Sequence, residues 1–157
     1  MDSVQLAYMA GLFDGEGCVG IYTPRQLILN IEMTNRRGLE IFSLCFNCPI
    51  SVRSPRKFNA RQSYVVQLSA DNAYNAIKTL HPYLCIKRQK AELVMSTWEK
   101  FKMFPYEIKK YLSDYQEKVT QLDSTSNTGT KTNGNRRGID LKPRKKRGNQ
   151  LVQMAIL

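Results

Sequence analysis

The hydrophobic period of the chain changes within four residues, Asp14-Gly15-Glu16-Gly17, and this limits the fold more than any other feature. Before it, Leu6, Met9 and Phe13 recur at helical spacing and Leu12 follows Tyr8 by one turn, so residues 3–14 are predicted to be a helix. After it the period is two. Residues 18–23 and 26–34 are predicted strands joined by a short turn at Pro24-Arg25. In the second strand Leu27, Leu29, Ile31 and Met33 face one side, while Gln26, Ile28, Asn30, Glu32 and Thr34 face the other.

The rest of the chain repeats the order. Residues 38–46 are a predicted helix carrying Leu39, Phe42 and Phe46. Residues 50–54 and 63–69 form a second predicted hairpin, with Ile50, Val52, Tyr64, Val66 and Leu68 inward and Ser51, Arg53, Ser63, Val65 and Gln67 outward. Asp71 is the expected N-cap of a helix running to Leu80 and closed by His81-Pro82. Residues 88–104, with a stripe of Ala91, Val94, Trp98 and Phe101, and residues 106–122 are two further predicted helices. Four antiparallel strands with helices on one face make an α+β fold whose other sheet face stays open. That face is polar and partly basic, and a twisted antiparallel ribbon is one of the two shapes that enter the DNA major groove.

Size and charge agree with one such domain. At 157 residues, 42% hydrophobic and 24% charged, the chain has the composition of a folded globular protein rather than a disordered one. The core is expected over residues 1–123 and a basic loop and tail over 124–157. Net charge is +11, but eight bases from Lys131 to Arg147 stand against the single acid Asp140, so much of the excess lies in the tail. This suits a polyanionic partner. No apolar run approaches the roughly 20 residues of a membrane helix, so no membrane partner is expected. The start, Met1-Asp2-Ser3, carries neither a secretory nor a transit pattern, and export is not expected. Cys45-Phe46-Asn47-Cys48 has metal-site spacing, but no second pair follows and His81 is the sole histidine. Buried, reduced core cysteines are therefore the expectation for Cys18, Cys45, Cys48 and Cys85.

The chemistry concentrates in Met9–Gly17. A helix C-terminus carries partial negative charge, which disfavours carboxylates there by about 0.3–1 kcal/mol each. Asp14 and Glu16 nevertheless occupy that end. Carboxylates beside exposed carbonyl oxygens, with Gly15 and Gly17 leaving the backbone open, suit a hard cation such as Mg²⁺. Ala7, Ala10 and Gly11 make a stripe of small residues that ends at Asp14 and allows close approach of another backbone. Packed there against a second copy about a two-fold axis, the chain brings two Glu16 carboxylates together, an arrangement that needs bridging cations. The residues alone leave open a plain helix whose acids are solvated.

Met9–Gly17, preceded by Leu6-Ala7-Tyr8 and followed by a hairpin, resembles the nine-residue signature of the LAGLIDADG homing endonucleases. Residues 82–94 are similar to the segment that bears the family's active-site lysine. The resemblance runs from Val4 to about Asp123 and includes one copy of the signature, as in the homodimeric subgroup. It implies an αββαββα fold, a saddle of two four-stranded sheets on double-stranded DNA, and metal-dependent hydrolysis of both strands of a long pseudo-palindromic site. Mg²⁺ is the implied cofactor, with Ca²⁺ or Mn²⁺ as substitutes, and no small-molecule substrate is implied. By position, Glu16 is the metal-binding acid with the Gly15 carbonyl as a further ligand, Asn35 helps place the water, and Lys87 supports the transition state. Arg36 and Arg37 are candidates for a basic residue beside Asn35. Ala7, Ala10, Gly11 and Asp14 fall at the dimer interface.

Base readers would come from the open face. Gln26, Asn30 and Gln67 suit adenine, Arg53 and Arg61 suit guanine, and Glu32 can accept from cytosine N4. Ser63, Ile28 and Val65 share that face, with Tyr22 set to stack or touch a thymine methyl. Lys131, Arg136 and Arg137 would contact phosphates. Such a gene belongs in a chloroplast, a mitochondrion, a microbe or a phage. The alternative is a protein of the same fold that binds nucleic acid without cutting, as an RNA maturase or regulator.

Overall fold

A computed structural model describes residues 1–23, 26–55 and 61–126. Helix α1 (Ser3–Glu16) starts at a capping box, in which the Gln5 N–H donates to the Asp2 carboxylate at 2.7 Å. It runs without a spacer into β1 (Gly17–Thr23), and β2 (Gln26–Met33) returns beside it. Then follow α2 (Arg37–Phe46), β3 (Ile50–Arg53), β4 (Ser63–Ser69), α3 (Ala70–Leu80), a single 3₁₀ turn (His81–Tyr83), α4 (Arg88–Met103) and α5 (Ile108–Ser126). The four strands form one fully antiparallel sheet in the order β1-β2-β4-β3. The predicted α+β class and the αββαββα order are both present, with α4 and α5 added at the end.

Register puts the apolar sets of all strands on one face. Val19 lies opposite Leu29, which lies opposite Leu68, and Ile31 lies opposite Val66, which lies opposite Ile50. Met9, Phe13, Leu39, Phe42, Ile77, Leu80 and Val94 meet this face from the helices and are fully buried. Burial of each such side chain stabilises the fold by about 1.5–3 kcal/mol.

Several local expectations are corrected. Val52 shares the helical face with Tyr64 by register, yet at the end of a four-residue edge strand it stays 55% exposed. Asp71 does not cap α3. The helix begins one residue earlier, and the Asp71 carboxylate accepts instead from the Trp98 indole at 3.0 Å and the Lys102 ammonium at 2.5 Å, tying α3 to α4. Of the cysteines, only Cys48 is buried, while Cys18 and Cys85 are exposed. No group of three His, Cys, Asp or Glu suited to a metal occurs among the described residues. Helix α5 runs to Ser126.

Helix α5 also closes the free edge of β1. The buried Tyr115 hydroxyl accepts the Ile21 backbone N–H at 3.2 Å, next to the irregularity in β1 between Ile21 and Thr23. An edge N–H satisfied in this way cannot template pairing with another chain. Tyr115→Phe leaves that N–H without its acceptor, so stability should fall by about 1–3 kcal/mol. Urea unfolding checks this as a lower midpoint with an unchanged slope.

Candidate active site

The junction between α1 and β1 depends on Gly17. A Cβ there would overlap the Phe13 ring, so only glycine lets the helix pass straight into the strand. Gly15 and Glu16, the last two helical residues, are exposed. Asp14 is not. It is 8% exposed and turned into the chain's own body.

Its carboxylate accepts three successive backbone N–H groups. Cys85 and Ile86 donate to Oδ2 at 2.7 and 3.1 Å, and Lys87 donates to Oδ1 at 2.8 Å. Lys87 is the residue from which α4 departs, so the acid misplaced at the end of its own helix is well placed at the start of another. Burial alone would raise the Asp14 pKa. The three N–H bonds and the Lys87 charge outweigh it and hold the carboxyl below its ordinary value. Arg88 braces the same segment, donating to the carbonyls of Leu84 at 2.8 Å and Pro82 at 3.0 Å.

Lys87 closes the junction from the other side. Its ammonium donates to the Asp14 carbonyl and lies 5.9 Å from the centre of the Phe13 ring. Burial pushes its pKa down, and this outweighs the opposing pull of Asp14 and Glu16. A cation held against a helix C-terminus complements the dipole there. The Lys87 ammonium thus meets the last turn of the helix that ends in Gly15 and Glu16. Asn35 lies just before α2, where its Oδ1 accepts the Arg37 N–H at 3.0 Å. Arg36 and Arg37 are exposed, with Arg36 3.9 Å from Glu40.

The donor set suits a hard cation only in part. The exposed Glu16 carboxylate and last-turn carbonyls such as that of Gly15 are oxygen ligands. Mg²⁺ commonly takes one or two carboxylates and draws its other ligands from water and phosphate. One copy of the chain supplies one such carboxylate, and a second copy would supply another.

The exposed side of α1 differs from the predicted stripe. Ala10 is fully buried in the chain's own core, and Asp14 is spent on residues 85–87, so neither faces outward. Val4, Ala7, Tyr8, Gly11 and Gly15 form the open face instead. A Cβ on Gly11 or Gly15 would meet nothing within 4 Å, so no contact inside the chain calls for glycine there.

The outer face of the sheet is laid out in rows. Cys18, Asn30 and Gln67 form one, Gly20, Ile28 and Ser69 a second, and Glu32, Val65 and Ser51 a third, with Ser63 opposite Arg53 beyond them. Gln26, Tyr22, Arg61 and Gln67 are exposed, whereas Val65 is only 7% exposed and offers little to a ligand. Lys131, Arg136 and Arg137 lie outside the described residues. The anchoring part played by Asp14 and the pairing of Glu32 with Arg53 and Ser63 were not readable from spacing.

Comparison with solved structures gives the fold its relatives. The homing endonuclease I-CvuI, in complex with its target in the presence of calcium, is similar at a TM-score of 0.60 and 21% identity over 87% of each chain. The archaeal intron-encoded homing endonuclease I-Vdi141I, complexed with DNA, is similar at 0.61 and 13% identity, over 85% of this chain and 91% of that one. The LAGLIDADG meganuclease I-AabMI, bound to uncleaved DNA, is similar at 0.54 and 20% identity, over 80% of this chain and 46% of that one. No family model and no curated protein matches the chain.

Replacing Asp14 tests the junction. Asp14→Asn removes the charge from three donors and should cost about 1.5–3 kcal/mol. Because the folded-state pKa is depressed, the contribution is full above the unfolded value and fades as pH falls through the folded one. Urea unfolding across pH should show a constant gap between wild type and variant above about pH 5, shrinking below about pH 4.

Proposed function

We propose that this chain, which has the fold of the LAGLIDADG homing endonucleases, works as a dimeric site-specific DNA endonuclease. The observation that carries this reading is the junction at which the buried Asp14 holds Lys87 against the last turn of α1, the helix that ends in the exposed Glu16 and whose outer face is open. The open sheet supplies the polar surface for double-stranded DNA.

In this reading two copies meet through α1 and place both Glu16 side chains between two scissile phosphates. Glu16 and the Gly15 carbonyl would hold Mg²⁺, which supplies charge neutralisation at the phosphate when bound. Water attacks phosphorus, the bond from phosphorus to the 3′ oxygen breaks, and that oxygen leaves with a proton. Lys87 stabilises the negative charge that grows on the phosphate oxygens, and its fixed position means little reorganisation is needed. The Asn35 amide nitrogen, with its two donors, would orient water while the amide oxygen keeps the Arg37 N–H. The commitment of that oxygen to the backbone is the observation favouring the second reading, a chain that binds nucleic acid without cutting it.

A site recovered by selection from a randomised duplex pool provides the assay. Glu16→Gln should abolish cleavage with Mg²⁺ while leaving binding in calcium within a few-fold. Lys87→Met should slow cleavage by about 10²–10³. Wild-type chain that binds the site and never nicks it would establish the second reading instead.

The dimer has its own test. Gly11→Arg has room inside the chain, so folding should survive, but a long charged side chain blocks close approach of α1 to a second copy. Sedimentation should show wild type at twice the chain mass and the variant at the monomer mass.

A further inference from the structure

Three side chains that sequence assigns separately to reading bases are joined to one another on the open sheet face. Glu32 accepts from the Arg53 guanidinium through Nη1 and from the Ser63 hydroxyl at 2.6 Å. Register explains the reach. Glu32 lies opposite Val65, and Ser63 lies two residues along β4, opposite Arg53, so the carboxylate extends diagonally across β4 to β3. Both of its oxygens have a donor.

The pair is held but not hidden, with 37% of the Glu32 side chain and 41% of the Arg53 side chain exposed. Only Nη1 of Arg53 is engaged among the described residues, so the guanidinium keeps donors for a second planar acceptor. A lone carboxylate on a DNA-facing surface would be repelled by phosphates, whereas one neutralised by arginine is not. A free arginine loses rotamer freedom when it binds, and one fixed during folding does not lose it again.

We propose that Glu32, steadied by Ser63, is a positioning residue for specificity: it reads no base itself and sets Arg53 to make paired hydrogen bonds to a guanine in the major groove. This rests on the reading of the chain as a site-specific DNA-binding protein.

Full-length wild type, Glu32→Gln, Ser63→Ala, Arg53→Ala and the Glu32→Gln/Arg53→Ala double variant are each used to select sites from a randomised duplex pool in calcium. Wild type should enrich a guanine at one position of each half-site, and Arg53→Ala should erase that preference. Glu32→Gln should weaken the same guanine by about tenfold, Ser63→Ala by less, and the double variant should match Arg53→Ala alone. Binding to a non-specific duplex should follow net charge alone, weaker for Arg53→Ala and no weaker for Glu32→Gln. A Glu32→Gln preference altered at a different base pair, or a guanine that survives it, overturns the positioning role. A selected site untouched by Arg53→Ala overturns it as well, while the DNA reading stands. If wild type enriches no sequence, the DNA reading itself fails and the positioning role goes with it. NMR of the free proteins gives a readout independent of DNA. The Arg53 guanidinium should rotate slowly in wild type and fast in Glu32→Gln, and fast rotation in wild type overturns the inference.

Discussion

The three hydrogen bonds from the backbone of residues 85–87 to the Asp14 carboxylate hold the candidate site together. They join the end of α1 to the start of α4 across 71 to 73 residues of chain. Each helix alone has an electrostatic fault. The first ends in acids, and the segment leading into α4 presents N–H groups to be satisfied. Set against each other, the two faults cancel. Lys87 completes the exchange by donating to a carbonyl of α1, so one junction fixes both the candidate lysine and the helix that carries Glu16.

The sheet follows the opposite logic. Its inner face is closed by helices and packed with aliphatic side chains, so its outer face is rigid without a layer of its own. Polar side chains on a rigid surface hold their spacing, which is what recognition of a regular polymer requires. The free edge at β1 is answered by Tyr115 from α5. The opposite edge, β3, is only four residues long and offers little length for unwanted pairing.

Much of this architecture is legible in the sequence because it depends on period. The switch from helical to alternating spacing at Gly17, the inward sets of β2 and β4, and the stripe of α4 all appear as expected. What escaped depends on contacts between distant residues. Ala10 and Gly11 look alike as small residues, and only the path of α1 over the core decides that one is buried and the other open. Asp14 was legible as an anomaly, a carboxylate at an unfavourable helix end, but its partners lie on a later element. Val52 was misplaced because alternation gives the face of a strand and not how far the covering layer extends.

The junction also orders events in time. The β1–β2 hairpin pairs residues close in sequence and can form early, but the Asp14 carboxylate has no donors to accept from until residues 85–87 exist. On a growing chain, therefore, the acidic end of α1 is settled only after more than half the protein has been synthesised. A nascent or prematurely terminated fragment carries the acids without the lysine segment that organises them. The junction is thereby reserved for chains that extend at least to Lys87, an ordering that arises from connectivity alone.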